Sequence, residues 1–104
     1  VRNSILFPGV QVKKGAVVEN SVLFFKNKIK ENCRLNKVVS DVNNSFLKNV
    51  VVGPDRCGPD SEVTVVGWNN EVPSNTRIGE GATIYPHVAR DEWPAIVKAG
   101  EELR

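Results

Sequence analysis

A six-residue rhythm runs through most of this chain and limits its fold more than any other feature. Large aliphatic residues open the units Leu6–Gln11, Val12–Val17 and Val18–Leu23, and Phe24 opens the next. After a one-residue slip the rhythm continues as Ile29–Arg34 and Leu35–Ser40. It returns at Val66–Glu71, Val72–Arg77 and Ile78–Thr83, followed by Ile84. IGEGAT from Ile78 is the sharpest copy and VKKGAV from Val12 the second. The first residue of a unit points a large apolar side chain inward. The fifth is small or β-branched and also points inward, as expected for Val10, Ala16, Val22, Cys33, Val39 and Ala82. Between them the chain must turn, where glycine adopts positive φ freely and asparagine does so less easily. Gly9, Gly15 and Gly81 fit such turns, as do Asn20, Asn27, Asn32, Asn43, Asn44, Asn69 and Asn75. Three units close a triangular coil of about 18 residues, and coils stack at the strand spacing of about 4.8 Å. No coil buries its own interior, so several must follow in series. A β-sandwich also contains short runs of Val and Ile, but it wants strands of roughly 5–6 residues joined by hairpins. Units this short that share one phase predict a parallel solenoid.

The rhythm breaks twice. Residues 41–49 are polar and without clear phase. The segment GPDRCGPDSE, residues 53–62, has two prolines and two glycines and should leave the solenoid at a corner as a loop. The tail DEWPAIVKAGEEL changes character. Asp91 could cap one short helix ending at Gly100, with Trp93, Ile96 and Val97 closing the open end of the stack. An uncovered end would expose core and unpaired strand edges. The expected organisation is a solenoid over residues 1–90 with an insertion near 53–62, then a cap or short helix over 91–104.

Composition narrows the function classes. Apolar residues are 40% and charged residues 25% of the 104, as in a folded domain with one core. No apolar run approaches the roughly 18 residues of a membrane span. The opening VRNSILFPGV lacks the apolar stretch of a signal peptide, so a cytoplasmic protein is expected. A chain that opens on Val1 with a strand-like segment reads as a domain whose upstream portion is missing. Cys33 and Cys57 have no CxxC spacing and one histidine, His87, to join them. That argues against a disulfide framework or zinc site and for reduced thiols, one of them in the core. Residues 1–50 hold nine Lys/Arg against three Asp/Glu, whereas residues 51–104 hold five against nine. The basic half could meet a phosphate or an acidic partner, or simply be solvated. Nucleic acid is not expected, because the lysines are not interleaved with aromatics and no helix-turn-helix, finger or RNA-binding signature occurs.

The stretch NSILFPGVQVKKGAVVENSVLFFKNKIKENCRLNKVVSD, Asn3 to Asp41, resembles the C-terminal β-helix of the glucose-1-phosphate adenylyltransferase family. The order NS-(aliphatic)-L, PGV, VKKGAVVENSV and ENC carries the likeness, and Val66 to Pro86 share it in a general way. The related mannose-1-phosphate guanylyltransferases and thymidylyltransferases have the same architecture. The resemblance implies an all-β, left-handed parallel β-helix. The left hand comes from the resemblance alone, since parallel crossovers are usually right-handed. It further implies a C-terminal oligomerisation and regulatory domain of an enzyme making ADP-glucose and pyrophosphate from ATP and glucose 1-phosphate, for glycogen synthesis. Mg and ATP would belong to the parent, with no cofactor in this fragment. The implied partners are its own N-terminal catalytic domain, a homo- or hetero-oligomer, and a phosphorylated-sugar or phosphate effector. No G-x-G-x-x-G or Walker pattern occurs, so no catalytic residues are assigned and the fragment alone should be inactive. The alternatives are a hexapeptide-repeat acyltransferase and a scaffold solenoid without chemistry.

Candidate sites are few. Lys13, Lys14, Lys26, Lys28, Lys30 and Arg34 could gather into an anion or effector patch, since residues one coil apart sit above one another. The same lysines would also serve as a solvated face that discourages edge pairing. Phe24 and Phe25 are adjacent and cannot both point inward. Phe25, with Leu23 and Trp68, is therefore the candidate interface, toward a partner subunit or the missing domain, or else packs on the 53–62 loop. His87 could act as an acyltransferase base, but it sits near the coil's end without an acceptor-loop signature, which favours a structural role. One histidine is too few for a multi-histidine metal site.

Overall fold

Two- and three-residue strands separated by tight corners leave the backbone one way to satisfy its amides, which is to pair with the coils before and after. A computed structural model of the chain describes residues 2–54 and 61–104. It is a left-handed parallel β-helix of about five turns with extra C-terminal strands. All strand pairs are parallel, in three sheets. The first sheet has six strands: β1 (Ile5–Leu6), β4 (Val22–Leu23), β7 (Val38–Ser40), β10 (Thr64–Val66), β13 (Thr83–Ile84) and β15 (Glu102–Leu103). The second has four: β2 (Gln11–Val12), β5 (Lys28–Ile29), β8 (Ser45–Phe46) and β11 (Glu71–Val72). The third has five: β3 (Val17–Glu19), β6 (Arg34–Asn36), β9 (Val51–Val52), β12 (Arg77–Ile78) and β14 (Ile96–Val97). No helix among the described residues is long and apolar enough to cross a membrane.

The early coils are shorter than the six-residue rhythm suggests. Ile5 lies beside Val22 and Val22 beside Val39, a step of 17 residues. Val39 then lies beside Val65, a step of 26 that contains the insertion, and Val65 beside Thr83, a step of 18. One side of each early coil therefore has five residues. This corrects the phase at two places. Leu23, not Phe24, points inward and is fully buried, and Ser40 occupies the same inward place one coil on. Val22 and Val39 consequently face outward. Of the 53–62 insertion, residues 55–60, Cys57 among them, lie outside the described residues.

The core is a column of side chains, one layer per coil: Val18, Leu23 and Ile29, then Leu35 and Phe46, then Val52, Val66, Val72, Ile78 and Ile84. The expected helix over 91–104 does not form. Arg90–Glu92 make one 3-10 turn, and the chain continues the solenoid with β14 beside β12 and β15 beside β13. The reason is local. Arg90 falls where an inward apolar residue would follow Val72, and it pairs instead with Glu71 at the surface. Pro94 disfavours helical geometry at the residue before it, and Trp93 is extended, with φ −79° and ψ 120°. Half-buried Trp93 packs on the core and Val97 re-enters it, while Ile96, expected to cap the stack, is exposed.

Truncating a core layer should be costly and trimming the outer surface should not. Ile78→Ala is expected to lose about 2–5 kcal/mol in a denaturant melt, and its exposed neighbour Arg77→Ala to stay within about 0.5 kcal/mol. Equal losses would contradict the inward assignment of Ile78.

Candidate functional site

The corners are built by residues in the left-handed region. At the corner leaving the six-stranded sheet, Gly9, Lys26, Asn43, Asn69 and His87 stack in register, all with positive φ. Asn32, Asn49 and Asn75 continue the second corner above Gly15, and Asn3, Asn20 and Lys37 form the third. Asparagine tolerates this geometry better than other side chains apart from glycine. Its exposed amides also bond along the stack: Asn43 Nδ2 donates to Asn69 Oδ1 at 2.9 Å, and Asn69 Nδ2 lies 3.3 Å from His87 Nε2. His87 is thus the last member of a corner ladder, with an exposed ring and a backbone N–H donating to the Trp68 carbonyl.

Not every asparagine is a turn residue. Asn27 and Asn44, expected to supply positive φ, instead point into the core together with Asn70, and all three are buried. Asn27 Nδ2 donates to the carbonyls of Phe24 and Asp41, both at 2.8 Å, and Asn27 Oδ1 accepts from Ser40 Oγ at 2.6 Å. Asn44 Nδ2 donates to Ser40 Oγ and the Asp41 carbonyl, and its Oδ1 accepts the Asn70 N–H at 2.8 Å. Asn70 repeats the pattern on Gly67, Tyr85 and Val88. Each side chain ties its own corner to the coil above. Register could have exposed the ladder in the sequence, because Asn27 and Asn44 lie one 17-residue coil apart.

The three outer faces differ sharply. On the four-stranded sheet Lys28 projects between Gln11 and Ser45, and Lys13 lies one coil before Lys30. Lys14 lies one coil before Glu31, and Lys26 sits in the corner ladder. Arg34 stands on a different sheet, between Val17 and Val51. The structure therefore gathers Lys13, Lys28 and Lys30 on one face and sets Lys14 beside an acid, Lys26 at the corner and Arg34 on another side. The six-stranded sheet is almost wholly apolar outside. Ile5, Val22, Val39, Val65 and Thr83 form one outward column. Phe7, Phe24, Asp41, Gly67 and Tyr85 form a second, and Pro8, Phe25, Val42, Trp68 and Pro86 a third. Phe25 is 44% exposed and Trp68 47%, whereas Leu23 is core and cannot be a contact residue. Phe7 packs on Phe24 and Phe25 at ring distances of 4.9 and 5.1 Å. A groove of ≈ 240 Å³ crosses this face between Phe24, Trp68 and Tyr85.

Titratable chemistry is sparse. Among the described residues no group of three or more His, Cys, Asp or Glu is placed to hold a metal ion. Burial pushes the Cys33 thiol above its ordinary value, against weaker opposing hydrogen bonds from nearby backbone. Its Sγ lies 2.8 Å from the Leu47 carbonyl, so it is a core residue rather than a nucleophile.

The fold and its corner ladders define a hexapeptide-repeat β-helix domain. Residues 1–66 match the family described as GlmU-like, C-terminal hexapeptide, and the chain belongs to that family. A glucose-1-phosphate adenylyltransferase from Acetivibrio thermocellus is 36% identical over 104 positions, covering 92% of this chain and 24% of the relative. Enzymes of the same name from Desulfitobacterium hafniense and Desulforamulus reducens are 33% and 35% identical, covering 81% and 75% of this chain and 22% and 20% of the relatives. The chain thus spans about a quarter of the length of these relatives. The acetyltransferase domain of PglB from Neisseria gonorrhoeae, solved with acetyl coenzyme A, shares the fold. Its TM-score is 0.54 at 17% identity, covering 95% of this chain and 53% of that one.

If His87 is a corner residue rather than a catalytic base, His87→Asn should not lower the melting temperature. The expected change in stability is within about 0.5 kcal/mol, since asparagine suits this backbone better. A large loss would contradict that reading.

Proposed function

We propose that this chain is a non-catalytic scaffold and assembly domain, serving a sugar-phosphate nucleotidyltransferase that makes ADP-glucose from ATP and glucose 1-phosphate. The observation that carries the scaffold reading is the division of its surface. One sheet face is almost wholly apolar and aromatic, a second carries Lys13, Lys28 and Lys30, and the third mixes Val17, Val51 and Ile96 with Arg34 and Arg77. The parent class is supported by the three relatives at 33–36% identity. Mg and ATP would then act in the parent's other domain. The Lys13, Lys28 and Lys30 face is the place on this domain for a phosphate-bearing effector.

A second reading, a hexapeptide-repeat acyltransferase, draws on the fold shared with an acetyltransferase domain. Against it stands the position of His87, whose backbone and ring are engaged in the corner ladder. The readings separate in one comparison. The parent protein should form ADP-glucose with ATP, glucose 1-phosphate and Mg²⁺, while the pure 104-residue chain should show neither that turnover nor thiol release from acetyl coenzyme A in the presence of amino-sugar acceptors. Acceptor-dependent thiol release that His87→Asn abolishes would overturn the proposal in favour of the acyltransferase.

A further inference from the structure

We propose that the groove on the outer face of the six-stranded sheet is a binding site for a small quaternary ammonium ion of the choline type. The site goes beyond the scaffold role and does not depend on the parent's reaction.

It arises from a missing side chain. Phe24, Asp41, Gly67 and Tyr85 follow one another in a single outward column, one per coil. Gly67 leaves a gap between the carboxylate and the tyrosine ring. A Cβ there would lie 2.7 Å from the Pro86 nitrogen, so no side chain fills the gap unless the next coil moves. Phe24, Tyr85 and the exposed indole of Trp68 give the groove aromatic walls. Its volume of ≈ 240 Å³ lies below the roughly 300–1,000 Å³ of pockets for drug-sized ligands, so its occupant is small.

Charge selects the class of ligand. Asp41 is the one charged residue on the walls. Its Oδ1 accepts the Val42 N–H at 2.7 Å, and among the described residues no cation stands within ion-pair distance of it. A carboxylate set among aromatic and aliphatic surface gains most from a cation, which is also attracted to the negative faces of the rings. The chain makes the second kind of contact itself, since the Arg104 guanidinium lies 4.7 Å from the centroid of the Tyr85 ring. Arg104 stands one coil beyond Tyr85, whereas Gly67 stands one coil before it. It is paired with Glu102 at 3.2 Å, so it leaves the groove open and its charge is already answered.

Hydrogen bonding selects the cation. The carbonyls of Phe24 and Asp41 already accept from Asn27, and those of Gly67 and Tyr85 from Asn70. Few acceptors remain for the three N–H groups of a primary ammonium or the five of a guanidinium. Each donor left dry would cost free energy. A quaternary ammonium ion has no N–H to satisfy. It asks only for opposite charge and aromatic surface, which this groove combines. The walls carry no cation to hold a phosphate, so the ligand is the free ion and not a phosphocholine headgroup.

The test is a titration of the 104-residue chain with choline or tetramethylammonium chloride, followed by heteronuclear NMR at constant ionic strength. The Gly67 amide and the Trp68 indole N–H are expected to shift saturably, while the Trp93 indole stays in place. Dimethylbutanol, the neutral isostere of choline with carbon in place of nitrogen, should bind at least about tenfold more weakly. Asp41→Asn keeps the contact with the Val42 N–H, and Trp68→Leu alters an exposed position. Each should weaken choline about tenfold, read at the Gly67 amide. Absence of a saturable shift, or equal binding of the neutral isostere, overturns the proposal. So does tighter binding of butylammonium, arginine amide or phosphocholine than of choline.

Discussion

Everything in this molecule depends on hydrogen bonds between coils rather than within them. Gln11 donates to the Asn27 carbonyl, Lys28 to that of Asn44 and Ser45 to that of Asn70, and the other sides repeat the arrangement. A coil in isolation satisfies few of its amides and buries none of its apolar residues. Cooperativity is therefore between neighbours, as in other solenoids. The corners are the weak points of such a stack, because the chain must bend there without leaving carbonyls dry. Asn27, Asn44 and Asn70 meet that need with side-chain amides that donate to the corner carbonyls of their own coil and of the coil above. Buried polar groups of this kind stabilise only when fully partnered, and these are.

Because stacking satisfies the interior, the exterior is free to differ from side to side. Strand alternation sends Leu23 and Ser40 inward and Val22 and Val39 outward, so the same segments that hold the core also lay down an apolar outer face. The next sheet presents Lys28 and the lysines beside it instead. This division of the surface is what supports the scaffold role proposed above. Membership of the hexapeptide family agrees with that architecture, and function on such a fold is decided by its surfaces rather than by the coil itself.

Much of the fold was legible in the repeat. Ile29, Leu35, Val66, Val72, Ile78 and Ile84 were expected inside and are. The errors of phase share one cause. A period of six was carried across sides that hold five residues, which put Phe24 in the place of Leu23 and made Val22 and Val39 inward. The same slip hid the Asn27–Asn44–Asn70 column, since turn asparagines and core asparagines look alike until the coil length is known. Lys26, Lys37 and His87 in left-handed corners could not have been read from propensity, because the register of the stack, not the residue, assigns that geometry. The tail misled for a different reason. Its cap-like Asp91 and terminal Gly100 suit a short helix, but β12 and β13 offered open edges that β14 and β15 complete. Phe25 and Trp68 were expected to face outward from their mismatch with the inward rhythm, and both are exposed.

The most direct test of this account contrasts two adjacent asparagines by denaturant unfolding. Asn43 is an exposed corner residue with positive φ, and Asn44 is a buried bridge between coils. Asn44→Ala removes the acceptor of the Asn70 N–H and the donors to Ser40 Oγ and the Asp41 carbonyl, and should cost more than about 2 kcal/mol. Asn43→Gly relieves the backbone and should change stability by less than about 0.5 kcal/mol. Comparable losses at the two positions, or a larger loss at Asn43, would contradict the claim that the buried ladder holds the coils together.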